Sequence, residues 1–197
     1  EFLEGGPRRV SPYFIPMLIP DMAAGMIAIR HGFSGPNFSI SSACASATHS
    51  MWISYQLIQS GKADVMLTGG TEAAVTPFGV AGFIAIKALS TRNDEPEKAS
   101  RPFDKDRDGF VISEGCGLVV FESLEHAQKR GAKIYAEVIG IGMTDDAYHI
   151  AAPSPGGEQA ARCMSEALKN SGLKPSEIDY VNTHGTSTPA GDVAEVK

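Results

Sequence analysis

The stretch Ser41-Ser42-Ala43-Cys44-Ala45-Ser46-Ala47 holds a thiol among small residues. Cys44 falls where an alternating run over 37–43, with Phe38 and Ile40 set against polar neighbours, passes into a helical run over 44–59. A helix N-terminus carries unpaired N–H groups and a partial positive charge. Both stabilise a thiolate. The same N–H groups can donate to the oxyanion that forms when sulfur attacks a carbonyl. The small neighbours leave room for a substrate. Taken alone, a free cysteine is more often a small buried apolar residue. That bland reading is kept for Cys116, in a Gly-rich strand-like run, and for Cys163, on a helical one.

The second stretch is Asn182-Thr183-His184-Gly185-Thr186-Ser187-Thr188-Pro189-Ala190-Gly191-Asp192. It follows a strand-like run, so His184 is expected at a strand end, entering a loop. An imidazole there can hold a proton or donate to a carbonyl oxygen. Thr186 and Thr188 add hydroxyls able to bind an amide-containing arm. The competing reading is a solvated loop whose hydroxyls satisfy local backbone. His31, His49, His126 and His149 show no metal-ligand spacing and are read as structural.

The elements that must position these groups follow from periodicity and punctuation. A helix is expected over 22–30, a buried strand over 37–43, a helix over 44–59 with Met51, Trp52, Tyr55 and Ile58 on one face, and a strand over 64–68 stopped by Gly69-Gly70. Strand, helix, strand makes a βαβ unit and points to a parallel or mixed sheet. Residues 91–109 read as a charged loop and 110–122 as a Gly-interrupted strand pair. A short helix follows over 123–130, with Gly131 as its cap. A second set begins near Ala132: a strand over 134–142, a helix over 157–171 and a strand over 179–183. The halves are therefore placed at 1–131 and 132–197.

The composition excludes several classes. The 197 residues carry a net charge of -6, against nonspecific nucleic-acid binding. No apolar run approaches a membrane span. The three widely spaced cysteines do not form a disulfide framework, which fits a reducing cytoplasm. Asp104-Lys105-Asp106-Arg107-Asp108-Gly109 opens like a calcium loop, but its twelfth position is Gly115 where a glutamate is needed. It is read as a loop in which Arg101 and Arg107 pair with the aspartates.

The two motifs, in this order, resemble those of a β-ketoacyl-acyl carrier protein synthase of the bacterial type II elongating kind. Further matching pieces are Gly5-Gly6-Pro7-Arg8, Met22-Ala23-Ala24-Gly25, the 64–70 run, Ala88-Leu89-Ser90-Thr91-Arg92-Asn93, Arg101-Pro102-Phe103-Asp104 and Arg107-Asp108-Gly109-Phe110. The resemblance implies an α/β, thiolase-like fold, layered αβαβα with two similar halves, here incomplete at both ends. It implies a homodimer and no cofactor, since the substrates ride on the phosphopantetheine of acyl carrier protein. It assigns Cys44 as the acyl-accepting nucleophile and His184 as the group stabilising the enolate left when malonyl-carrier protein loses carbon dioxide. Thr186 and Thr188 match positions on the phosphopantetheine arm, and Phe83 a position in the acyl pocket. Glu195 matches a carboxylate that pairs with an active-site lysine, with Asp192 in a supporting place. Asn182 matches a position near a structural cation; no other metal site is implied.

In such enzymes the second histidine, the lysine and the phenylalanine of the oxyanion hole follow the His184 motif, and would lie past Lys197. The 197 residues alone are expected to be inactive and to expose sheet edges. Three alternatives stand beside the elongating synthase. A polyketide ketosynthase shares its chemistry. A non-catalytic, chain-length-determining partner would lack Cys44. A thiolase lacks the His184 loop in this form.

Overall fold

The structure, a computed structural model, describes residues 2–197. In chain order the regular elements are α1 (Phe2–Gly5), α2 (Phe14–Leu18), α3 (Met22–His31), α4 (Ser46–Gln59), β1 (Val65–Ala73), α5 (Pro77–Ala85), β2 (Glu114–Glu122), α6 (Leu124–Lys129), α7 (Glu158–Ser171) and α8 (Gly191–Glu195). They group into two compact units that interleave in sequence. One joins the residues up to Thr71 with Gly117–Ala132. The other joins Glu72–Cys116 with Lys133–Lys197. Among the described residues no helix is long and apolar enough to cross a membrane.

α3, α4, α6 and α7 stand close to where their sequence signals put them, while α1, α2 and α8 form in segments read as irregular or loop. α3 ends at Gly32, whose left-handed backbone (φ 69°) lets its N–H bond Ala28 O. The Ser123 hydroxyl caps α6 by accepting from the His126 N–H, and Gly131 follows at φ 67°. α5 was not foreseen in the sequence, yet it carries a start signal. Thr76 accepts from the Gly79 N–H at 3.0 Å and Pro77 opens the first turn.

The strands depart further from expectation. β1 pairs with β2 and does not stop at Gly69-Gly70; it runs through both. A Cβ on Gly69 would lie 2.1 Å from Gly117 O on β2, and one on Gly70 would lie 2.8 Å from the Ala47 Cβ on α4. The glycines therefore mark close backbone approach, not a turn. The expected strand pair over 110–122 is the single strand β2. Phe110 instead bridges to Leu89: its N–H donates to Ala88 O and its carbonyl accepts from Ser90, both at 3.0 Å.

Residues 37–43 form no strand and are largely exposed, so the expected βαβ unit is not formed there. Residues 134–142 and 179–183 likewise form no regular strand among the described residues. A strand exists only through its ladder, and among the described residues no neighbouring strand pairs with any of these runs. The 140–144 stretch lies along α7 instead. Asn170 Nδ2 donates to Ile141 O at 2.8 Å, and Thr144 Oγ1 to Gln159 O at 2.7 Å.

The apolar interior is small. Ala99 and Ala127 are the buried apolar side chains among the described residues. Leu118, Val119 and Val120 of β2 are 42%, 41% and 57% exposed. Successive strand residues face opposite sides, so both faces of β2 are open.

One polar cluster ties β2 to α6. Glu122 accepts from Arg130 Nε at 2.6 Å and Nη2 at 2.7 Å, and also bonds His126. Arg130 first, then His126, holds its carboxyl at about 2 against an ordinary 4.5. A carboxylate depressed by folding contributes fully above its ordinary value and loses that contribution as pH falls through the folded one. Amide exchange along α6, corrected for intrinsic rates, is therefore expected to quicken as pH falls from 4.5 toward 2. Glu122→Gln should exchange fast across the same range.

Candidate active site

Cys44 lies in a tight turn just ahead of α4 and is exposed. The helix begins at Ser46, not at Cys44 as the sequence pattern suggests. Ala43 takes a left-handed backbone (φ 51°), unusual for a residue with a Cβ. That kink turns the chain from its open approach into the helix. The Ser46 hydroxyl closes the kink from both sides. It donates to Ala43 O at 2.7 Å and accepts from the Ser42 N–H at 2.8 Å. Ala45 and Ser46 N–H donate to Ser42 O and Ala43 O, so these amides are engaged within the turn. Ser42 Oγ lies 2.6 Å from His49 Nδ1 on α4.

In the other unit the His184 loop is held by two carboxylates. Glu195, on α8, accepts from the His184 N–H at 2.5 Å and the Gly185 N–H at 2.7 Å. This fixes the His184 backbone and leaves its ring exposed. Asp192 is 2% exposed. It accepts from the Ser187 N–H at 3.0 Å and the Phe103 N–H at 2.6 Å, and its carboxylate meets Arg107 Nε at 3.2 Å. The Arg107 guanidinium also donates to Thr188 O, Pro189 O and Asp104 O. Ser187, fully buried at φ 67°, takes the Arg101 N–H on its hydroxyl and the Gly109 N–H on its carbonyl. The 101–109 loop is thus a clamp on the 184–192 loop. Between the clamp points, Thr186 Oγ1 and Thr188 Oγ1 lie 3.0 Å apart. Gly191 donates to Thr188 Oγ1 at 3.1 Å.

The profile of the β-ketoacyl synthase N-terminal domain matches residues 2–127, and that of the C-terminal domain matches residues 135–197. The chain belongs to the β-ketoacyl synthase family. It is 56% identical over 195 residues to the 3-oxoacyl-[acyl-carrier-protein] synthase 2 of Vibrio cholerae serotype O1, covering 99% of this chain and 47% of that one. Among solved structures it resembles a β-ketoacyl synthase from Burkholderia phymatum STM815, at 40% identity and TM-score 0.92, over 98% of this chain and 47% of that one. It also resembles a chain in the solved complex of a type II PKS acyl-carrier protein with its ketosynthase bound to the hexaketide, at 38% identity and TM-score 0.93, over 96% of this chain and 47% of that one. The chain thus spans about half the length of the curated relatives it matches. The thiolase-like α/β fold expected from the sequence is the fold of these neighbours.

The remaining sequence candidates fall as follows. Phe83, half-buried on α5, packs edge-to-face on Phe110 with ring centroids 5.2 Å apart. Asn182 is exposed and its Oδ1 accepts from the Tyr180 hydroxyl at 3.2 Å. Arg101 pairs with Asp104 at 3.2 Å as read from the sequence, but Arg107 turns to Asp192. Asp108 instead accepts from Ser90 Oγ and the Thr91 N–H, which hold its carboxyl below the ordinary range. His31 stacks on Phe33, His126 bonds Glu122, and His149 Nδ1 accepts from Ala151 and Ala152. Sequence reasoning missed Arg107 and Ser187 as supports of the His184 loop. Nothing local marks them, because their partners lie about eighty residues away in the chain. His49 had a local signal, since it follows Ser42 and Ser46 at near-helical spacing.

Proposed function

We propose that the chain carries the centre of an elongating synthase of fatty-acid biosynthesis, with the later part of its first half at 1–131 and the start of its second at 132–197. Cys44 sulfur attacks the carbonyl of an acyl group on acyl carrier protein, and the carrier's thiol leaves. Malonyl-carrier protein then loses carbon dioxide. The electron pair of the broken C–C bond becomes an enolate, which His184 stabilises by donating to its oxygen. The enolate carbon attacks the acyl-Cys44 carbonyl, the C–S bond breaks, and the 3-oxoacyl product stays on the carrier. Thr186 and Thr188 hold the phosphopantetheine arm, Phe83 lines the acyl pocket, and Glu195 and Asp192 support the His184 loop. No other cofactor enters. The enzyme works as a homodimer in the cytoplasm; its three free cysteines suit a reducing compartment.

The observation that carries this reading is an exposed cysteine in a hydroxyl-closed turn at the head of a helix, in a chain of this family. The relatives' names favour the fatty-acid branch. The likeness to a polyketide ketosynthase at lower sequence identity supports that pathway as a second reading of the same chemistry. The test uses this sequence in place of the matched segment of the full-length Vibrio cholerae relative. Incubation with acyl-carrier protein should leave a thioester on Cys44, located by peptide mass spectrometry. No adduct, or one on Cys116 or Cys163, would overturn the reading.

Gly191 tests the threonine assignment. A Cβ there would lie 2.5 Å from Thr188 Oγ1 and 3.3 Å from Thr186 Oγ1, so Gly191→Ala must displace the hydroxyl pair. Loss of one hydrogen bond to the arm predicts a rise of about five-fold in KM for carrier-borne substrate, with kcat little changed. A change in kcat alone would contradict the assignment.

A further inference from the structure

We propose that His49 is a positioning residue for Cys44, acting through Ser42. This rests on the reading of Cys44 as the acyl-accepting nucleophile. The turn around Cys44 contains a backbone conformation that resists a Cβ, Ala43 at φ 51°. The bonds that close it are internal. Ser46 Oγ spans Ser42 N and Ala43 O, and the Ala45 and Ser46 amides return to Ser42 O and Ala43 O. These bonds tie the turn to α4 only at Ser46, the helix's first residue, and a turn held at one end can pivot against the rest of the helix. His49 removes that freedom, because it holds the turn at two points on either side of Cys44. Its backbone N–H donates to Ala45 O at 2.9 Å, and its ring Nδ1 lies 2.6 Å from Ser42 Oγ. His49 is half-buried on α4, so its ring has a fixed base from which to act. Any helical residue at this position would make the backbone bond. Only a side chain with a polar atom at the Nδ1 position can make the second. The effect on rate follows from the sensitivity of nucleophilic attack to small misplacements of the attacking atom.

The experiment uses the full-length host and measures the rate of Cys44 acylation by an acyl-carrier protein thioester. Thermal unfolding serves as the control for folding. His49→Asn places its Oδ1 where Nδ1 was and is expected to acylate at close to the parent rate. His49→Phe keeps the ring volume without the polar atom. It should acylate roughly ten-fold more slowly at an unchanged melting temperature. His49→Gln, whose amide reaches past that position, should be as slow as the phenylalanine variant. Ser42→Ala should match His49→Phe, and the double variant should be no slower than either, because both remove one shared bond. Equal rates for His49→Phe and the parent would overturn the inference while leaving the nucleophile in place. So would an asparagine variant as slow as the phenylalanine one, since ring packing would then be the cause. If the parent takes no acyl group on Cys44, the nucleophile reading falls and the inference falls with it.

Discussion

Replacing His184 by alanine in the full-length host is expected to leave Cys44 acylated and to stall the enzyme there. Loading requires the thiol and a place for the thioester oxygen. Decarboxylation requires a donor to the enolate oxygen, and this is the role proposed for the His184 ring. Removing one such donor costs about 10²–10³-fold in turnover. The geometry makes the variant a clean probe. Glu195 holds this part of the loop by the His184 and Gly185 N–H groups, at 2.5 and 2.7 Å, and neither bond involves the ring. The loop should therefore keep its backbone when the ring is lost. During turnover with malonyl-carrier protein, acyl-Cys44 should accumulate while carbon dioxide release falls. Unchanged carbon dioxide release would remove His184 from this step.

Asp192→Ala is expected to damage the fold where His184→Ala does not. The Asp192 side chain is 1% exposed and the Arg107 side chain 13%. The carboxylate accepts two backbone N–H groups and faces the guanidinium. Truncating it strands a mostly buried charge and leaves two amides without partners, at a cost of about 3–5 kcal/mol. Thermal unfolding of the host should register that loss. Amide exchange should rise together over 101–109 and 184–192, because Asp192 bonds Phe103 on one loop and Ser187 on the other. Exchange that rises only over 184–192 would show that the 101–109 loop stands without the clamp. Asp192→Asn keeps one acceptor oxygen but turns an amide donor either toward the Ser187 N–H or toward the Phe103 N–H and Arg107, and should fall between alanine and the parent.

How well each element could be read from sequence depends on how locally it is determined. α3, α4, α6 and α7 carry their own stops and caps, such as Gly32 and Ser123, and form close to where those residues put them. The runs over 134–142 and 179–183 have strand-like composition. Composition supplies only the propensity, and the ladder partner must come from elsewhere. Gly69-Gly70 reads as a stop because glycine so often ends strands. Only the neighbouring Gly117 and Ala47 reveal it as a crossing of backbones. The site divides in the same way. Cys44 and His184 stand out through their immediate neighbours and the family motifs those neighbours make. Arg107 looked like one more member of a charged loop, since its true partner, Asp192, is remote in sequence.

The interleaving of the two units bears on how such genes can recombine. The chain passes between units within β1, within β2 and again after Ala132. A crossover in the seam between the two family domains, past residue 127 and before residue 135, cuts close to the third passage only. The progeny would inherit 72–116 from one parent and the His184 loop from the other, although both belong to one unit. Arg101, Phe103 and Arg107 from the first parent would then have to meet Ser187, Thr188 and Asp192 from the second. Hybrids should survive when both parents share this set of contacts and fail when they differ, whatever their overall similarity. What is inherited as a block is therefore a pair of distant loops, not a stretch of gene.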